Sequence, residues 1–434
     1  MQRFKILVGS TLLILTVFLL TLSASKPNTT SPSNTKITTS RSQTASVDLI
    51  KLQQYRSRQQ ELRAALKEYF KNTILSGNLV GAGVSIVKGD SIVISEGFGK
   101  RNTNLNGKVD GETVFRLGSL SKGFAGVLAA EVENEGELDW SSKVVDYIPE
   151  FQLGNKENTS KITLADILSQ TSGTPYHSYT NLIEAGLSLT DIAERFKDVT
   201  PISEPGSMYS YQNAMFALSG EMMRRATGKN IKTLLKNRLL NPLGMCSTSM
   251  DYETLLHTSN IAMPHVKWRS GWKERPLKDD YFNAVAAGGV SSSAHDMAKW
   301  MRFLLGHDPE VMNKSALQDV FNPFVEVGGH SKYYQRWPGH IKSYYGFGWR
   351  IHKFMEDDAI NKKTIWHHGG SVNDYRNEIA IFPESDLGIC VLMNCHSKIA
   401  STVIPDLYKI VKEIYGQSAP QIVLNSGAKM DISL

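Results

Sequence analysis

A serine hydroxyl is a weak nucleophile until a base takes its proton. The stretch Phe115-Arg-Leu-Gly118-Ser119-Leu-Ser121-Lys122 holds both parts of such a pair. The apolar run that follows, Phe124-Ala-Gly-Val-Leu-Ala-Ala, reads as a helix, and on a helix residues three apart share a face. Ser119 and Lys122 then point to one place, whereas Ser121 falls about 200° round from Ser119. Burial and a nearby helix N-terminus both lower a lysine pKa, which makes a neutral amine available as a base. The start of the helix also leaves backbone N–H groups unpaired, and that of Ser119 can serve an oxyanion. Taken alone, Ser-x-x-Lys equally describes a capping serine and a solvated lysine.

Two further groupings carry chemistry. Pro205-Gly206 marks a turn, so Tyr211 and Asn213 lie just beyond a loop and before a helix. A tyrosine near a lysine can ionise or relay a proton more easily, and Asn213 can bond Lys122 or a substrate amide. The competing account is an aromatic plug with a capping asparagine; Tyr209 reads as structural. The third grouping is Trp366-His367-His368-Gly369-Gly370-Ser371, followed by Asp374-Tyr375-Arg376. Paired glycines beside a strand, Gly369 and Gly370, let a ligand approach the backbone. Adjacent residues of a strand face opposite ways, which argues against a metal at His367 and His368. A hydrogen-bonded histidine pair without a chemical role is the plainer account.

The elements that would position these groups follow from periodicity. Apolar residues recur at helical spacing from Val47 to Ile74. Val84–Val87 and Ile92–Ile94 read as a hairpin turning at Gly89-Asp90, and Asn377–Phe382 and Leu387–Met393 as another. A helix is expected from Ala400 to Tyr415. Thr163 with Asp166, and Ser293 with Asp296, resemble capping boxes. Strands at both ends and helices between predict an α+β fold: an antiparallel sheet of N- and C-terminal strands, flanked by helices, with a mainly helical lobe inserted over roughly 125–285. The aromatic and basic stretch Phe324–Trp349 reads as an irregular surface loop leading into a strand.

The 434 residues carry a net charge of +6, spread along the chain, which gives no argument for nucleic-acid binding, so no nucleic-acid partner is expected. Three cysteines, Cys246, Cys390 and Cys395, do not make a disulfide framework. Met1-Gln-Arg3-Phe-Lys5, an apolar run over residues 6–22 and Ser23-Ala24-Ser25 form a leader. It is either a cleaved signal peptide (1–25) or a membrane anchor, and in both cases the remainder is exported, periplasmic or extracellular. Residues 26–46, rich in Ser, Thr, Asn and Lys, read as a disordered linker. The folded domain is then 47–416, with a loose tail at 417–434.

In their order, Ser-x-x-Lys, Tyr-x-Asn and His-x-Gly resemble the serine β-lactamase and penicillin-binding-protein superfamily, in its class C and D-alanyl-D-alanine-peptidase and esterase branch. The resemblance extends from about residue 65 to 415. It includes Glu137–Phe151, Leu168-Ser-Gln-Thr-Ser-Gly173, Asn241-Pro-Leu-Gly-Met245, Ala287-Gly-Gly-Val-Ser-Ser-Ser293 and Tyr345-Gly-Phe-Gly-Trp349. It implies that Ser119 attacks a carbonyl while Lys122 and Tyr211 move its proton to the leaving group. The N–H groups of Ser119 and Ser371 would form the oxyanion hole, and Asn213 would orient Lys122 and the substrate. His368, favoured over His367 by counting back from Tyr375-Arg376, stands where β-lactamases of this class have the lysine of Lys-Thr-Gly. Histidine there replaces a fixed charge with a hydrogen-bond donor, which speaks against strong β-lactamase activity. The implied substrate is a peptide or small molecule: a cell-wall stem ending in D-amino acids, a β-lactam or a small ester. No metal or organic cofactor is implied, and the oligomeric state is open. The reading from another class is a non-catalytic protein that binds a cell-wall ligand on the same fold.

Overall fold

The computed structural model describes residues 38–355 and 362–416, with side chains from residue 49 onward. The expected leader, residues 26–37 of the expected linker and the expected tail lie outside the described residues. The chain divides into two units, residues 1–53 and 54–434. The described part of the first unit is helical and belongs to helix α1 (Thr38–Leu75). Residues 38–46 are therefore helix and not disordered linker. No Gly or Pro interrupts the chain between Thr38 and Ser76, and once a helix is nucleated each added residue gains a hydrogen bond. Gly77, at φ +67°, ends it.

The second unit is built on one eight-stranded antiparallel sheet. Its strands are β1 (Gly81–Lys88), β2 (Ser91–Gly99), β3 (Val325–Glu326), β4 (His340–Tyr345), β5 (Arg350–Met355), β6 (Lys362–Val372), β7 (Tyr375–Phe382) and β8 (Leu387–Met393), in the order β2-β1-β8-β7-β6-β5-β4-β3. Both expected hairpins are present, and β1 pairs with β8, Val84 opposite Val391, so an N-terminal and a C-terminal strand lie side by side, one strand in from the β2 edge.

The two faces of β7 and β8 serve different layers because side chains alternate along a strand. Ile379, Ile381, Cys390 and Leu392 pack in one core with Phe124 and Leu128 of α2 (Ser121–Asn134) and with Met297 and Trp300 of α4 (Ala294–Leu304). Ala380, Phe382, Ile389 and Val391 pack in the other, with Leu62, Leu66 and Phe70 of α1 and Val403, Ile404 and Leu407 of α5 (Val403–Tyr415). Each fully buried Leu, Ile or Phe contributes roughly 1.5–3 kcal/mol, which is why both helix layers hold to the sheet. Between the paired strands Val114–Arg116 and Ser291–Ser293 the chain is mainly helical and includes α2 and α3 (Asn213–Thr227). Thr163 and Asp166 make both bonds of a capping box. Ser293 makes only its own half, because the Asp296 carboxylate instead accepts from Ser247 N at 2.7 Å and Thr248 Oγ1 at 2.8 Å.

One buried side chain ties the sheet to the serine. Asn377 on β7 donates to the carbonyls of Arg116 (2.9 Å) and Leu117 (3.1 Å) and accepts from Met393 N (3.1 Å). Asn377→Ala strands these groups in the interior, so it should lower the unfolding free energy in urea by about 2 kcal/mol. An unchanged midpoint would show that the turn before Ser119 does not hang from this residue.

Candidate active site

The chain enters the site through a 3-10 turn, Gly118–Leu120, that leads directly into α2. Two close approaches set the turn against β6. Gly118 has φ +56°, and a Cβ there would meet the Ser371 backbone at 2.8 Å; a Cβ on Gly370 would meet Leu117 O at 2.1 Å. Ser119 and Ser371 therefore face the same cleft, of about 340 Å³, with Gly369 beside them.

Tyr211 and Asn213 come from the loop before α3 and its first residue. Tyr211 Oη donates to Ser119 Oγ at 2.7 Å, and Lys122 Nζ lies 3.2 Å from the same oxygen. Lys122 is fully buried, and its other contacts are Asn213 Oδ1 and Ala287 O, both at 2.8 Å. A neutral amine has two N–H donors and one lone pair. The two acceptors take both donors, which leaves the lone pair facing Ser119. Burial, and secondarily the charge of Arg350, hold Lys122 well below the usual lysine range, so the amine is a base. Ser121 points elsewhere and accepts from Val290 N at 3.0 Å.

Lys122 does not help Tyr211 ionise. Burial raises the phenol pKa, against the pull of Arg350 and the bond to Ser119. Tyr211 thus stays a proton donor, with its ring 4.8 Å from the amine.

His368 and His367 point to opposite faces of β6. His368 is buried; its Nδ1 lies 2.8 Å from Gly369 O and its Nε2 3.0 Å from Tyr345 Oη. The carbonyl requires Nδ1–H, so Nε2 accepts from Tyr345. Both ring nitrogens are engaged within the protein, and no donor is left for a substrate. Burial and then Arg350 push its pKa well down, keeping it uncharged. His367 bonds Glu378 Oε2 at 2.8 Å and His352 at 3.1 Å.

Several residues of the cleft carried no signal of their own in the sequence. Phe324–Trp349 is not a plain surface loop: it supplies β3 and β4, and its 3-10 turn Tyr333–Arg336, with Lys332 before it, puts Lys332, Tyr333 and Tyr334 on the cleft wall. Tyr209, read as structural, also lines the cleft, its ring 5.4 Å from that of Tyr345. Arg350 lines the cleft over Tyr334 at 4.9 Å, and among the described residues its Nε and Nη1 have no hydrogen-bond partner. In the sequence Arg350 is marked only by its neighbours: it directly follows Tyr345-Gly-Phe-Gly-Trp349. Arg116 acts at a distance. Fully buried, it donates to the carbonyls of Lys278 and Asp280 and stacks on Phe282. It thereby holds Tyr281, at φ +71°, so that Tyr281 Oη accepts from Asn213 Nδ2 at 3.1 Å and Asn213 turns its oxygen to Lys122.

The arrangement makes a prediction that needs no substrate. Because the folded state binds the Lys122 proton more weakly than the unfolded chain does, this residue makes the protein more stable as pH rises toward the ordinary lysine value of about 10.4. In ε-¹³C-lysine NMR one resonance, absent in Lys122→Arg, should titrate well below that value. Titration of every lysine near 10.4 would overturn the neutral-amine geometry.

Comparison with known proteins agrees with this architecture. The Unguisins hydrolase ungD' of Aspergillus campestris is 26% identical over 348 residues, 77% of this chain and 61% of that protein. Protein flp of Staphylococcus aureus is 22% identical over 346 residues, 78% of this chain and 64% of that protein. The chain thus spans about three-fifths of the length of these relatives. The octameric penicillin-binding protein homologue from Pyrococcus abyssi superposes with a TM-score of 0.67 at 22% identity, over 80% of this chain and 77% of that one, a likeness of fold. The sequence profile described as Beta-lactamase matches residues 59–407, most of the chain, and the protein belongs to that family.

Proposed function

We propose that the protein is a serine hydrolase that forms an acyl-enzyme at Ser119 and cleaves amide or ester bonds. One observation carries this reading: Ser119 Oγ sits between a phenol at 2.7 Å and a buried, uncharged amine at 3.2 Å, at the floor of an open cleft. In acylation the Ser119 oxygen bonds the substrate carbonyl carbon, its proton passes to Lys122, and Tyr211 gives one to the departing nitrogen or oxygen. The N–H groups of Ser119 and Ser371 receive the oxyanion. Water then repeats the sequence in reverse to release the acid.

The substrate class follows from the opposite wall. His368 has no free donor and no charge, so it cannot replace the lysine of a β-lactamase as an anion anchor. The buried, unpartnered edge of Arg350 supplies a cation instead, with Lys332 and Arg376 also on the cleft lining. We favour substrates with a carboxylate near the scissile bond, such as cell-wall peptides ending in a D-amino acid, over neutral esters, with β-lactams turned over weakly. A relative named as a hydrolase of unguisins and a structural neighbour described as a penicillin-binding protein homologue accord with a hydrolase on this fold. Export by the leader in residues 1–25 belongs to the same proposal.

A fluorophosphonate probe and a fluorescent penicillin should both label the protein, and Ser119→Ala should abolish the label; labelling that survives in the variant would refute the nucleophile. Turnover of D-alanyl-D-alanine peptides, p-nitrophenyl esters and nitrocefin then ranks the substrate classes. Arg350→Ala should raise KM for the peptide at least about tenfold, as loss of one member of a buried charge pair does, and leave p-nitrophenyl acetate within about twofold. Equal effects on both would remove Arg350 as the carboxylate anchor.

A further inference from the structure

The far side of β6 holds a polar chain that the proposed reaction does not use. His340 Nε2 lies 2.8 Å from Ser343 Oγ, which lies 2.8 Å from His352 Nδ1. His352 Nε2 is 3.1 Å from His367 Nδ1, and His367 Nε2 is 2.8 Å from Glu378 Oε2. Glu378 is fully buried and also binds two groups of the cleft lining. Tyr333 Oη donates to its oxygens at 2.8 and 3.0 Å, and Arg376 Nη2 lies 2.8 Å from Oε1. His352 and His367 are buried, and only His340, half-buried, stands at the solvent end.

Two donor assignments satisfy every member of this chain. With Glu378 ionised, each group donates toward it: His340 to Ser343, Ser343 to His352, His352 to His367, His367 to Glu378. With Glu378 protonated, each donates the opposite way. The two states differ by one proton, taken up at the second ring nitrogen of His340 and delivered at Glu378, with only N–H and O–H bonds exchanged. We propose that Glu378 is a positioning residue that holds Arg376 and Tyr333 on the cleft wall, and that the chain from His340 exchanges its proton with solvent behind the sheet. The inference rests on the cleft being the acylation site.

Burial raises Glu378 to about 7, against the lowering pull of Arg376, Tyr333 and Arg350. Both inner histidines are pushed well below their ordinary range, by burial first, and stay neutral. The groups facing Glu378 are His367 on β6, Arg350 on β5, Arg376 on its own strand and Tyr333 on the 3-10 turn, and Cys390 of β8 lies near it on the opposite face of the sheet. Cys390 is buried and its thiol is pushed well up, so it stays uncharged. Below neutrality Glu378 is a neutral acid with a weaker hold on Arg376; above it, the carboxylate fixes the guanidinium.

The test compares second-order labelling rates for a fluorescent penicillin, which carries a carboxylate, with those for an uncharged fluorophosphonate. Their ratio cancels the Ser119 and Lys122 step. In the wild type the ratio should rise as pH passes through about 7. Glu378→Gln, nearly isosteric, should lower the penicillin rate about tenfold, as loss of a supporting hydrogen-bond partner does, flatten the ratio against pH and spare the fluorophosphonate rate. Tyr333→Phe, which keeps the buried charge, should lower the penicillin rate in the same direction if the Gln variant folds poorly. A ratio that is pH-independent in the wild type, or unchanged by Glu378→Gln, overturns the proposal. Failure of both probes on the wild type counts against the serine-hydrolase reading instead. The crystal structure of Glu378→Gln then decides the positioning role: Arg376 and Tyr333 displaced from the wall support it, and both unmoved refute it.

Discussion

An ammonium group cannot stay charged in an apolar interior without a partner anion, and among the described residues Lys122 has none within bonding distance. Its neighbours are an amide oxygen, a backbone carbonyl and a serine. Taking it out of water therefore removes its proton, and with only two acceptors for two N–H bonds the remaining lone pair has one direction to face. Most of what surrounds the site serves to keep that amine dry and aimed. Helix α2, on which it sits, is buried along nearly its whole length. Asn213 is held by Tyr281, and the loop carrying Tyr281 is held by Arg116.

The second constraint is the distance between the Gly118–Leu120 turn and β6. Backbone meets backbone there, at Gly118 against Ser371 and Gly370 against Leu117, with no room for a Cβ on either side. This is the contact that lets main-chain donors from two remote parts of the chain share one opening. Asn377 fixes it from the sheet side by bonding both carbonyls that precede Gly118. The sheet is thus a reference frame: β7 locates the turn, β6 supplies the facing backbone, and α2 and α3 bring the side chains.

The two histidines of the same strand show how alternation divides labour. His368 falls on the Lys122 side, where its ring is used up by Tyr345 and its own neighbour's carbonyl. His367 falls on the other side and joins Glu378, and through it the cationic wall. The positive charge at the cleft therefore sits not on His368 but on Lys332, Arg350 and Arg376, all brought in from outside that strand.

Much of this was legible in the residues alone. β-rich apolar runs toward both ends, with the Gly89-Asp90 turn in the first, specified the β1–β2 and β7–β8 hairpins, since strands covered on both faces need no alternation. Helical spacing around Leu62, Leu66 and Phe70 specified α1, though not that it begins by Thr38, because polar residues without a breaker carry no boundary signal. The spacing of Ser119 and Lys122 put them on one face, and motif order linked them to Tyr211, Asn213 and the glycine-rich strand. What only the tertiary structure decided were the contacts between segments with no local pattern. These are the turn that puts Tyr333 on the cleft, the lone Arg350 with an unpartnered edge, the Arg116–Tyr281–Asn213 support, and the burial that keeps Tyr211 protonated. A sequence records which groups can ionise or donate; desolvation and the identity of a partner far along the chain are properties of the folded interior, and these set the charge and direction of each group.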